Sequence, residues 1–137
     1  MSSDSLVGLV MDVGGVLTDL GGFPASEEPP LLGAVRLLRR RGVLTAVLSN
    51  AQGYPPDAGW RADFDAVVVS GEVGMGKPDP RVYRLTAARL GLAPSRCVFV
   101  DDLPRNVRGA VAVGMVGVRH DTVAATLEEL DALFPER

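Results

Sequence analysis

The chain is poor in several features that would point directly to a function. It carries a single cysteine, Cys97, in 137 residues. No internal disulfide can form, so a reducing cytoplasm is the expected compartment. Cys97 lies in the apolar run Cys97-Val98-Phe99-Val100, where a small buried hydrophobe is expected rather than a nucleophile. Positive charge is not in excess either. The formal net charge is −3 and the pI about 5.1, which gives no electrostatic case for a nucleic-acid or membrane partner. The basic group Arg36, Arg39, Arg40 and Arg41 reads as the solvated end of a helix, where cations suit the dipole. No apolar run approaches transmembrane length, and Met1-Ser2-Ser3-Asp4-Ser5 lacks the basic start of a secretory signal. Repeats and low-complexity blocks are absent. Length and a 47% hydrophobic content fit a single core domain over residues 1–137.

What is present is organised around Leu6-Val7-Gly8-Leu9-Val10-Met11-Asp12-Val13-Gly14-Gly15. A run this apolar reads as a strand buried on both faces, and the two glycines stop it sharply. Gly14 to Pro30 is rich in glycine, proline and acidic residues and reads as a tight turn plus a short flap, about 14–25, with Val16-Leu17-Thr18 as one arm. Leu31, Leu32, Val35 and Leu38 then fall at helical spacing, and Gly42 is placed to end that helix. Val43 to Leu48 is a second strand, ending at Ser49-Asn50. Residues 51–63 form an irregular loop holding Tyr54 and Trp60, which either line the rim or pack half-buried. Asp65 to Val69 is a third strand leading to Gly76-Lys77. Asp79 is a good N-cap and Pro80 a good first residue for a helix with Val82, Leu85, Ala88, Arg89 and Leu92 on its apolar side. A fourth strand, Arg96 to Val100, ends in Asp101-Asp102. Pro104 opens a helix carrying Asn106, with Val107, Ala110 and Val111 turned inward. Met115 to Val118 is a fifth strand. Thr126 with Glu129 resembles a capping box for the last helix, which ends near Phe134-Pro135. Strands alternating with helices predict an α/β class: a doubly wound, Rossmann-like parallel sheet of about five strands in three α/β/α layers.

Parallel strands put their carboxyl ends on one rim, where open α/β sheets bind ligands. Asp12, Ser49-Asn50 and Asp101-Asp102 would meet there, with Lys77 on a neighbouring loop. Three carboxylates at one rim repel unless something neutralises them, and a hard divalent cation with oxygen ligands is the simplest remedy.

This arrangement resembles the haloacid dehalogenase superfamily. Its motifs appear in order as Asp12-Val13-Gly14-Gly15-Val16-Leu17, Leu48-Ser49-Asn50, Gly76-Lys77-Pro78-Asp79-Pro80 and Phe99-Val100-Asp101-Asp102, followed by Asn106-Val107-Arg108-Gly109-Ala110. The resemblance implies a cytoplasmic, Mg²⁺-dependent phosphatase working through an aspartyl-phosphate. Asp12 would be nucleophile and metal ligand, and the Gly14 carbonyl a second ligand. Asp102 would bind metal directly and Asp101 through water or in support, or with those roles exchanged. Ser49 and the Asn50 amide would hold phosphoryl oxygens, and Lys77 would offset charge.

Two departures modify that expectation. Phosphatases of this family usually carry a second aspartate where Gly14 stands, which protonates the leaving oxygen and later activates water. Its absence predicts slow reaction of alkyl phosphates and better reaction of aryl or acyl phosphates; Asp19 and His120 are the candidate substitutes, although surface roles are the ordinary reading of both. The stretches from Asp12 to Ser49 and from Asn50 to Lys77 are also too short to hold a cap domain. An open site suits a bulky phosphorylated substrate, a partner surface, or cover from a second subunit, so a homodimer is one expectation. The competing reading is a catalytically weak module that keeps the Mg²⁺ and phosphate pocket for binding or regulation; a phosphotransferase or mutase, which needs a cap to exclude water, ranks third.

Overall fold

The computed structural model describes residues 5–22, 24 and 28–136. The part of the flap at Phe23 and Ala25, and the reading of Met1 to Asp4, lie outside them. Five strands form one parallel sheet: β1 Gly8–Met11, β2 Leu44–Ser49, β3 Ala66–Val69, β4 Cys97–Asp101 and β5 Val116–Arg119, in the order β3-β2-β1-β4-β5. The helices are α1 Pro30–Arg40, a single turn α2 Ser70–Val73, α3 Pro80–Arg89, α4 Pro104–Ala112 and α5 Val123–Leu133.

The chain winds outward from β1 in both directions, which buries β1 on both faces and both edges. Leu9, Met11, Val47, Val98 and Val100 point to one face and pack against Leu31 and Val35 of α1 and Leu130 of α5. Val10, Ala46, Leu48 and Phe99 point to the other and pack against Val82, Tyr83 and Ala87 of α3 and Ala110 of α4. The result is three layers, and no cap domain is present among the described residues. Each fully buried aliphatic side chain contributes about 1.5–3 kcal/mol of transfer free energy, so the two apolar layers hold the rim loops in place.

Register aligns the rim. Met11 is level with Val47 and Val100. The chain therefore leaves β1 at Asp12, one residue past that level, and leaves β4 at Asp101, also one past it. β2 runs to Ser49, two past it. Asp79 caps α3 by accepting from the Arg81 amide at 2.9 Å, with Pro80 at the first helical position.

Several local expectations need correction. The segment Val13–Leu17 coils instead of extending: Val16 and Leu17 are buried, and Thr18 donates its amide back to the Val13 carbonyl at 3.1 Å. α3 buries Val82, Tyr83, Thr86 and Ala87, while Ala88 and Arg89 face out. Two polar groups tolerate that burial because each has a partner. The Tyr83 hydroxyl donates to the Asn106 carbonyl at 2.7 Å and the Thr86 hydroxyl to the Val82 carbonyl at 2.8 Å. Val111 is 54% exposed and does not turn inward. The cap of α5 is Thr122, which accepts from the Ala125 amide at 3.1 Å; Thr126 is fully buried inside the helix.

Candidate active site

Asp12, Lys77, Asp101 and Asp102 meet where β1 and β4 end. The Lys77 ammonium donates to Asp12 Oδ1 at 3.0 Å and to Asp101 Oδ2 at 2.7 Å. Its side chain is 1% exposed and that of Asp101 is fully buried. The Lys77 ammonium also lies 5.5 Å from the centre of the Phe99 ring, a cation–π contact. Three carboxylates, from Asp12, Asp101 and Asp102, each bring an oxygen within 4.8 Å of the others. One lysine cannot balance that charge. Burial pushes the Asp12 carboxyl above its ordinary value; Lys77 opposes the shift, and Asp101 reinforces it. Asp102 is raised too, by burial first and then by Asp101.

The two neighbouring aspartates differ in what their oxygens already do. Asp101 accepts from Lys77 and from Asn106 Nδ2 at 3.2 Å on Oδ2, and from the Leu103 amide at 2.9 Å on Oδ1. Asp102 is half-buried and leans on Asp101. The Gly15 backbone passes so close over Asp102 that a Cβ there would sit 2.6 Å from Oδ2, and φ is +76°; only glycine fits. Gly14 is the opposite case: its φ is −65° and a Cβ would meet nothing within 4 Å. The site has room for a side chain at that position and none is supplied.

The residues present suit a divalent cation. The cluster offers hard oxygen ligands in excess of positive charge. In addition, Asn106 Oδ1, buried one hydrogen bond from Asp101, lacks a partner among the described residues. The sequence places Asn106 on α4 without assigning it to the inward face, and the structure buries it beside Asp101.

The ends of β2 and β3 are bound to the same loop system. Asn50 accepts from the Lys77 amide at 2.9 Å and donates to the Lys77 carbonyl at 3.0 Å, so the lysine is clamped by its backbone as well as by its ion pairs. The Ser49 hydroxyl is bonded to the Tyr54 hydroxyl at 2.8 Å. Ser70 Oγ accepts from the Ala51 amide and donates to the Ala51 carbonyl, both at 3.0 Å. Between these loops runs an open groove of about 470 Å³, lined by Asn50, Ala51, Gln52, Ser70, Gly71 and Gly76. A larger hollow of about 530 Å³ lies at the far end of the sheet, between Leu6, Leu38 and Phe134; no carboxylate cluster stands there among the described residues.

Neither candidate substitute for the absent aspartate is free. His120 is 4% exposed, contrary to its reading as a surface residue. Its Nε2 is 2.7 Å from Asp19 Oδ2 and its Nδ1 2.7 Å from the Thr126 hydroxyl. Asp19 is held below its ordinary value, first by the Gly21 amide and then by His120. The signal was available in the spacing of His120 just past β5 and Thr126 one turn into α5.

A doubly wound sheet with charged, metal-compatible side chains on the carboxyl rim defines an α/β enzyme of the open-sheet type. The chain belongs to the haloacid dehalogenase-like hydrolases, whose family model matches residues 24–114. It is similar to a phosphoserine phosphatase of Thermus thermophilus, with 42% identity over 88 residues, covering 58% of this chain and 34% of the relative. It is also similar to Phosphatase MT3486 of Mycobacterium tuberculosis, with 33% identity over 123 residues, covering 80% of this chain and 57% of the relative. The chain thus spans about a third to just over half the length of these two relatives. A crystal structure of an uncharacterised Corynebacterium glutamicum protein superposes with a TM-score of 0.84 at 30% identity, covering 97% of this chain and 98% of that one.

Proposed function

We propose that this single core domain is a phosphohydrolase whose nucleophile is Asp12 and whose preferred substrates have good leaving groups. The observation that carries the reading is the Asp12–Lys77–Asp101 contact beside Asp102, which holds more negative charge than Lys77 balances. A divalent cation such as Mg²⁺, held by Asp12, the Gly14 carbonyl and Asp102 with Asp101 in support, would neutralise the carboxylates and polarise the phosphoryl oxygens. Asp102 suits direct ligation because Asp101 is already committed to Lys77, Leu103 and Asn106.

Lys77 opposes the burial that raises the Asp12 carboxyl and so favours the carboxylate form that attacks. An Asp12 oxygen bonds to phosphorus, the bond to the leaving oxygen breaks, and that oxygen departs with the electron pair. Ser49 and the Asn50 amide donate to the phosphoryl oxygens while Lys77 offsets the growing charge. With no side chain at Gly14, the leaving oxygen takes its proton from solvent, so acidic aryl or acyl leaving groups react and alkoxides lag. Water then attacks phosphorus, its proton passes to solvent, and the bond between phosphorus and the Asp12 oxygen breaks, releasing phosphate and the Asp12 carboxylate. That second step lacks a base as well. The aspartyl-phosphate therefore accumulates, and turnover is slow.

The test is hydrolysis of p-nitrophenyl phosphate with Mg²⁺ and with EDTA, beside Asp12→Asn. Metal-dependent turnover that falls at least about 10³-fold in Asp12→Asn supports the reading. If Mg²⁺ and beryllofluoride raise the melting temperature and no Asp12-dependent turnover is detected, the open space at Gly14 instead marks a binding or regulatory module.

A further inference from the structure

Tyr54 lies on the loop after β2, and its phenol meets Ser49 Oγ at 2.8 Å. Its placement is built from several directions. The ring packs edge-on against Trp60 at 5.0 Å, and Trp60 packs edge-on against Phe64 at 6.2 Å. Phe64 is itself buried in the core beside α1. Arg61 holds the loop backbone, donating Nη2 to the Tyr54 carbonyl at 3.2 Å and Nε to the Pro55 carbonyl at 3.0 Å, with its guanidinium 5.9 Å from the Trp60 ring centre. A phenol fixed this firmly, on the hydroxyl of a serine that is itself 3% exposed, is more than incidental loop packing.

We infer that Tyr54 is a positioning residue for the phosphoryl group, acting through Ser49. The inference rests on the assignment of Ser49 as a phosphoryl donor made above. A serine hydroxyl has one proton and rotates freely. Toward a phosphoryl oxygen, which has no proton to give, Ser49 must donate. Its own oxygen is then left to accept, and the Tyr54 O–H is the donor held against it. The chain runs Tyr54 O–H to Ser49 Oγ, and Ser49 O–H to the anion. Each link polarises the next, and the terminal bond to the anion is charge-assisted. The Tyr54 loop sets the direction of the Ser49 proton from outside the sheet.

Tyr54→Phe keeps the aromatic stack and removes only the hydroxyl. Two readings should be taken in Mg²⁺ buffer: calorimetric binding of inorganic phosphate, and kcat and KM for p-nitrophenyl phosphate. Tyr54→Phe should weaken phosphate and raise KM by about 3- to 10-fold, the range of one net hydrogen bond, with kcat little changed. The same substitution should have no effect in a Ser49→Ala background and its full effect in a Ser49→Thr background, where a hydroxyl remains. An equal loss in the Ser49→Ala background, or no loss beside wild-type Ser49, overturns the inference. If Asp12-dependent turnover persists in either case, only the role of Tyr54 falls. If the wild type neither binds phosphate nor turns over through Asp12, the phosphohydrolase reading falls with it.

Discussion

Two clusters of polar side chains stand past the carboxyl ends of the strands, and both are largely buried. In one, Asp12, Asp101 and Asp102 cluster around Lys77, which pairs with Asp12 and Asp101. In the other, His120 sits between Asp19 and Thr126, with each ring nitrogen 2.7 Å from a partner. The second cluster is complete: it ties the segment after β1 to β5 and α5 and leaves nothing over. The first is incomplete, because among the described residues its carboxylates outnumber its cations and Asn106 Oδ1 lacks a partner. Buried polar groups that are fully matched behave as structure, whereas an unmatched cluster costs stability and is kept for what it binds. From sequence, Asp12, Lys77, Asp101 and Asp102 read as the site, whereas Asp19 and His120 read as surface residues; the matched partners of the second cluster show only in three dimensions.

The comparison can be broken at Lys77. Lys77→Met leaves the carboxylates without any counter-charge and should destabilise the metal-free protein by about 3–5 kcal/mol in chemical denaturation. A loss under 1 kcal/mol would mean the cluster does not depend on the lysine. Gly14→Asp should raise turnover of alkyl phosphates at least about 10-fold, since general acid–base help is ordinarily worth 10²–10⁴-fold. The backbone at position 14 and the space around it already accept a side chain. An unchanged rate would remove position 14 from the chemistry.

Smaller effects sharpen the contrast, because the two clusters should respond with opposite signs. Asp102→Asn relieves repulsion and should raise stability in EDTA by about 1 kcal/mol; a fall would show the cluster already balanced. Asp19→Ala strips His120 of a partner and should lower stability by about 0.5–1 kcal/mol. Its pH dependence follows from the depressed Asp19 carboxyl, whose ordinary value is 3.8. A carboxyl held lower in the folded state stabilises above that value and loses the contribution as pH falls through the folded value. The gap between wild type and Asp19→Ala should therefore be full at pH 6 and close toward pH 2. A gap that widens in acid would contradict the assignment.

The sheet and its rim were legible because buried parallel strands write themselves as unbroken apolar runs, and whatever follows each run lands on one edge. That logic brought Asp12, Lys77 and the Asp101-Asp102 pair to one place from distant parts of the chain. What it missed depended on partners supplied in three dimensions. Thr126 with Glu129 imitates a capping box, but the Thr126 hydroxyl is taken by His120 and the cap falls to Thr122. α3 turns Tyr83 and Thr86 inward because the Asn106 and Val82 carbonyls receive them. The coil at Val13–Leu17 buries Val16 and Leu17 in the core beside α1, β2 and β4, and so is no flap arm.

The most direct test of the central claim is acid-quench trapping of the intermediate. Wild-type protein mixed with Mg²⁺ and p-nitrophenyl phosphate, quenched and digested, should carry a phosphoryl group on the peptide holding Asp12. With Gly14 unable to activate water, the labelled fraction should be substantial, and it should drop in Gly14→Asp and vanish in Asp12→Asn. Turnover that proceeds with no label on that peptide, or a label that survives in Asp12→Asn, would contradict the account.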